Sequence, residues 1–127
     1  MLIRDFLNIL LDDTLEEARL LHAQASAPGA ALAFAGAERA VSECREAMTG
    51  ERMGARLRAL LAAVRADSAR AAGQPDEAFW FSRELYVEWI AEVVSVVLMT
   101  ARAPAIIPPS RRAAIEAARL IGLLGAA

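Results

Sequence analysis

The 127-residue chain contains no lysine, one cysteine and one histidine. The lone Cys44 excludes an intramolecular disulfide, and the lone His22 excludes a histidine-based metal cluster. No apolar run is long: Val93 to Ala101 is the most apolar stretch, with nine residues, against about 20 for a membrane-spanning helix. Glu88 and Glu92 stand directly upstream of it. There is no glycine-rich phosphate loop, Gly-x-Ser-x-Gly elbow or paired-cysteine motif. Near the N-terminus Asp5 and Asn8 interrupt the apolar residues and no small-residue cleavage site follows, so a signal peptide is not expected. A soluble, cytoplasmic protein is the expectation.

What is present is alanine and arginine. Thirty residues are alanine and all fourteen basic residues are arginine, a usage that looks like a high-GC bacterial gene. Hydrophobic residues make up 57% and the mean hydropathy is +0.34, too apolar for a disordered chain. The length suits one domain over residues 1–127 with a core of its own. A net charge of −2 and a pI near 5.4 argue against a dedicated nucleic-acid binder.

Helix punctuation divides the chain into five segments, and the fold class expected is all-α. The first spans about 2–26 and ends at Ala27-Pro28-Gly29, its polar residues Asp5, Asn8, Asp12, Glu16 and Arg19 recurring at helical spacing. A capping box from Thr14 to Glu17 offers a competing break near Asp13. The second spans about 30–48, ended by Thr49-Gly50 with glycine suited to a left-handed cap. The third spans about 51–72, ended by Gly73-Gln74-Pro75-Asp76. The fourth runs over about 76–102, with Asp76 as candidate N-cap and strand-like propensity in Val93-Val94-Ser95-Val96-Val97 overridden by the helical pattern upstream. Residues 103–109 carry three prolines and form a linker, because proline lacks the donor and restricts its predecessor. A fifth helix is expected over 110–124.

Short loops favour antiparallel neighbours, so each hairpin pairs residues whose numbers sum to a constant. This places Arg19 opposite Glu38, Asp12 opposite Arg45, Glu43 opposite Arg58, Glu84 opposite Arg65, Leu85 opposite Val64 and Trp89 opposite Leu60. Glu92 falls beside Arg56 and Arg58. Opposite charges and apolar partners align in all three hairpins, which supports an up-and-down antiparallel bundle of four main helices plus the fifth.

Few features carry chemistry. Glu84, Glu88 and Glu92 stack at i, i+4 spacing and are candidates for a hard-cation site with Asp12, Asp13, Glu16 or Glu17; a solvated face partnered by arginines is the simpler reading. Ferritin-like di-iron bundles need paired Glu-x-x-His motifs, which the chain lacks. The Glu-Glu-x-x-Glu and Glu-x-x-Asp motifs of all-α nucleotide pyrophosphohydrolases are also missing, since Glu16-Glu17 is followed by Leu20. Arg52, Arg56, Arg58, Arg65 and Arg70 spread around the third helix, so intramolecular pairing is expected of them. His22 suits a helix C-terminal partner, and Cys44 a buried small hydrophobe.

The aromatic cluster is more distinctive. Phe79, Trp80, Phe81, Tyr86 and Trp89 fall within eleven residues and cannot all face one core, so some should lie at an interface or line a cleft. Small residues Ala33, Gly36, Ala37 and Ala40 let the second helix approach its neighbours closely. The fifth segment repeats Ala114, Ala118 and Gly122 beside an apolar end containing Leu120 and Leu124, a face that must be buried on its own bundle or on a second chain. The expected function is protein–protein interaction by a homodimeric adaptor or regulatory module, with no cofactor, no catalytic site and no membrane or nucleic-acid partner. Trp80, Phe81, Tyr86, Trp89, Leu120 and Leu124 are the candidate interface or ligand-binding residues. A bundle binding a small apolar or aromatic ligand is the first alternative, and a carboxylate-based metal-dependent hydrolase using Glu84, Glu88 and Glu92 the second.

Overall fold

A computed structural model describes residues 3–24 and 27–102. The described chain is a bundle of four α-helices: α1 (Ile3–Ala23), α2 (Ala30–Ala47), α3 (Met53–Ala71) and α4 (Glu77–Arg102), with no strand among the described residues. The linker at 103–109 and the helix expected over 110–124, with Leu120 and Leu124, lie outside the described residues.

The breaks fall where backbone chemistry places them. Gly50 (φ 89°) and Gly73 (φ 79°) take the left-handed conformation after α2 and α3, which only glycine adopts without a side-chain clash. Arg52 does so as well, at φ 61°. α1 is continuous through Asp13: the Thr14 hydroxyl donates to the Leu10 carbonyl at 2.7 Å, so it is satisfied inside the helix and nucleates no new one. Asp76 precedes α4, but its carboxylate accepts from the Trp80 indole N–H at 3.0 Å.

Sequence neighbours run antiparallel. Asp12 meets Arg45 at 2.7 Å and the His22 and Phe34 rings lie 6.5 Å apart near the connecting turn. Across α3 and α4, Asp67 meets Arg83 and Arg65 meets Glu88. The most extensive helix pair is α2 with α4, which run the same way: Gly29 lies against Ala78, and the Ala33 carbonyl accepts from the Ser82 hydroxyl at 2.6 Å. Gly36 permits this approach, because a Cβ there would stand 2.3 Å from the Phe79 carbonyl oxygen. By contrast α1 rests chiefly on α2, with few backbone approaches to α4 among the described residues.

The core draws on every helix, including Leu7, Leu11, Val41, Cys44, Leu57, Val64, Val87 and Ile90. Val93 and Val94 are buried within α4, so their β-branched stretch forms helix because its face is needed in the core. No described helix is long and apolar enough to cross a membrane.

Several charge pairs differ from the hairpin expectation. Asp12–Arg45 is present, but Arg19 pairs within its own helix with Glu16 at 2.6 Å. Arg65 bonds Glu88, one turn beyond Glu84, at 3.0 Å. Glu43 pairs with Arg83 and Arg39 instead of Arg58. Leu85 stays 64% exposed while Val64 is fully buried.

Candidate functional site

One end of the bundle gathers the C-terminal turn of α1, the N-terminal turns of α2 and α4, and the close of α3. Its organising side chain is Arg83, only 6% exposed. The guanidinium is bidentate on Glu43, with Nε to Oε1 at 2.6 Å and Nη2 to Oε2 at 2.8 Å, and Nη1 donates to Asp67 at 2.8 Å. Asp67 is also held by Arg70 and Glu43 by Arg39. One arginine thus ties α2, α3 and α4 together with a planar fork that a lysine would not reproduce. Burial alone would push the Glu43 carboxyl up, but the hydrogen bonds and charge of Arg83, with Arg39 beside it, outweigh that and hold it below the usual range.

The clustered aromatics are distributed around this node. The Phe79 and Trp80 rings meet edge-on at 4.9 Å and 88°, and the Arg83 guanidinium sits 5.4 Å from the Trp80 ring centre, a cation–π contact. With its N–H on Asp76, half-buried Trp80 is engaged on several sides. Tyr86 is half-buried with the His22 ring 6.4 Å away; burial and the charge of Glu17 both raise its hydroxyl pKa. Trp89 packs on the core, yet its indole nitrogen is buried without a hydrogen-bond partner, as is Nε2 of His22. Phe81 remains exposed. As the helical spacing requires, the five residues point in several directions.

The same end of the bundle carries exposed apolar side chains. Of the six large hydrophobic side chains exposed among the described residues, Leu20, Leu21, Leu32, Phe81 and Leu85 belong to this end, and only Ile9 lies elsewhere. Leu21 and Leu85 are each 64% exposed, and each stands next in sequence to one of the facing pair His22 and Tyr86. The His22 ring lies 6.4 Å from that of Tyr86, which brings the close of α1 against α4.

A separate cleft of about 550 Å³ opens between α3 and α4, with Leu57, Leu61, Val94 and Leu98 in its floor and Arg65 and Glu88 at its rim. None of the five clustered aromatics is part of its lining. Glu84, Glu88 and Glu92 share the outer side of α4, with Glu88 bound by Arg65. Among the described residues no three acidic, histidine or cysteine side chains converge to hold a metal ion. Cys44 is fully buried and its thiol is pushed up to about 12, a burial effect that leaves it inert as a nucleophile at neutral pH. Arg83 and the exposed Leu20, Leu21 and Leu32 were not among the residues singled out by sequence. The pattern Leu20-Leu21 beside Glu16 and Arg19 on a polar helix face was the available signal for the leucines.

Compared with known proteins, the chain matches no protein-family model, no curated protein and no solved structure. No family follows from the comparisons.

Proposed function

We propose that this protein is a homodimeric interaction module, an up-and-down bundle that acts through the apolar end surface of α1 and α4 and carries adaptor or regulatory contacts without a catalytic site. The observation that supports it is the concentration of exposed apolar side chains at one end. Scattered single hydrophobics are ordinary, but five of the six exposed among the described residues gather at one end, which favours a surface that is covered in use. Leu21, Leu85 and Phe81 supply the apolar area.

The chemistry on offer here is burial of apolar surface. Replacing Leu85 with glutamate puts a charge in the middle of the surface without touching the core. The variant is expected to remain helical and to lose the dimer in native mass spectrometry. Retention of the dimer by a folded Leu85→Glu protein overturns the proposal.

The α3–α4 cleft supports a second reading, an apolar small-molecule site, because its floor is leucine and valine and its volume falls in the range of ligand pockets. A discrete extra mass on the native protein would favour it.

A further inference from the structure

We propose that the cleft between α3 and α4 binds a free α-amino acid with an apolar side chain, its carboxylate on Arg58 and its ammonium on Glu92. Such a site is independent of the dimer. It rests on the small-molecule reading of the cleft given above, to which it adds a ligand class.

The lining of the cleft is divided between an apolar floor and a charged rim. Leu57, Leu61, Val94 and Leu98 form the floor, and Leu57 and Val94 are also part of the buried core. The polar lining is Arg58 and Arg65 from α3 and Glu88, Glu92 and Ser95 from α4. Two of the four charges are already matched, since Arg65 Nε donates to the Glu88 carboxylate at 3.0 Å. The other two are not. Among the described residues neither Arg58 nor Glu92 has a hydrogen bond or an ion pair, although they border the same cleft from opposite helices. The Arg58 guanidinium lies back along the first turn of α3, where a Cβ on Gly54 would stand 3.7 Å from Nη1. Gly54 itself lines the cleft. One cation and one anion are thus left open beside a leucine and valine floor.

The two charges lie at similar heights. α3 and α4 run antiparallel and the Arg65–Glu88 contact sets their register. Arg58 therefore comes level with Ser95, each being two turns away from that contact. Glu92 is three residues from Ser95, about 4.5 Å along the axis. Long arginine and glutamate side chains close such an offset onto one small molecule.

This charge pattern selects the ligand class. A fatty carboxylate would satisfy Arg58 and set a like charge beside Glu92, and an alkyl amine would do the reverse. An α-amino acid carries both charges on one carbon, and its side chain leaves that carbon in a third direction, free to cover the floor. The planar fork of arginine matches a carboxylate, and glutamate accepts from an ammonium. An apolar side chain that displaces water strengthens both contacts, which exposed ion pairs in open solvent lack. A volume of about 550 Å³ leaves room for an aromatic as well as an aliphatic side chain.

Calorimetric titration of the full chain with L-leucine and L-phenylalanine tests this. N-acetyl-L-leucine lacks the ammonium, L-leucinamide lacks the carboxylate, and 1-hexanol is a neutral apolar probe. Saturable binding of at least one amino acid is expected, weakened at least about tenfold in each single-charge probe. Arg58→Gln and Glu92→Gln should each weaken it to a similar degree; both residues are exposed, and circular dichroism checks that the variants fold. Binding that neither variant weakens overturns the proposal, as does equal binding of the single-charge probes. Binding of hexanol without either amino acid overturns the amino-acid site and leaves the small-molecule reading standing. Silence of every probe overturns both.

Discussion

Replacing Arg83 with leucine removes the side chain that joins three helices and leaves two carboxylates facing a site built for a cation. The carboxylate side chains of Glu43 and Asp67 are only 20% and 24% exposed, so neither regains full hydration when the guanidinium is gone. Taking one partner from a buried ion pair costs about 3–5 kcal/mol, because the remaining charge is uncompensated. Arg39 and Arg70 still reach Glu43 and Asp67, which puts the expectation at the lower end, about 3 kcal/mol. For a domain of this length that is a fall in Tm of roughly 10 °C. The loss should depend on pH with a definite sign. In the native protein the Glu43 carboxyl is held below its usual range, so its contribution is complete above the unfolded glutamate pKa and is lost as pH falls through the folded value. Without Arg83, burial dominates and the Glu43 pKa rises, so protonation relieves the variant. Urea unfolding followed by circular dichroism at neutral pH and near pH 4 measures both effects. The gap between native and variant proteins should narrow at the lower pH. A neutral-pH loss below 1 kcal/mol, or a gap that widens on acidification, refutes the reasoning.

Three further outcomes are expected. Gly36→Ala should lower stability by about 2 kcal/mol in thermal melts: the added Cβ meets the Phe79 carbonyl oxygen, and the cost of forcing α2 from α4 exceeds the roughly 1 kcal/mol gain in helix propensity. Arg52→Gly should raise stability by about 0.5 kcal/mol, since it relieves a left-handed backbone at φ 61° at the expense of some unfolded-state entropy; a lower melting temperature would count against this. Cys44 should resist maleimide in the native protein and react promptly in urea, as followed by intact mass; rapid native labelling would mean that the core opens locally.

Much of the helical layout was legible from punctuation. Pro28-Gly29, Gly50 and the Gly73–Asp76 turn act through local backbone geometry, so α1 to α4 begin and end within a few residues of expectation. Asp12–Arg45 was legible too, because a hairpin sum sets height along adjacent helices. The same sum carries no information on azimuth, which is why Leu85 comes level with α3 yet faces outward. Nor does it reach helices that are not sequence neighbours. The α2–α4 pair is the most extensive in the bundle, and its signals were split between Gly36, a small residue with no stated partner, and Arg83, an arginine with none. Their meeting is tertiary, and so is the capture of Glu43 by Arg83. The aromatic cluster was recognised as multidirectional, but that Phe81 would be the exposed member depended on which side of α4 packs against α2 and α3.

The central claim is that the apolar end surface is covered by a second copy. Native mass spectrometry of the full-length protein beside Leu85→Glu tests it most directly. A twofold interface loses two leucine contacts, each worth about 1.5 kcal/mol, and gains two charges to desolvate, so dimerisation should weaken at least 100-fold. The native chain should appear at twice its 13.6 kDa mass and the folded variant at the single mass. A native chain found only as monomer, or a variant that dimerises as well as the native chain, contradicts the account.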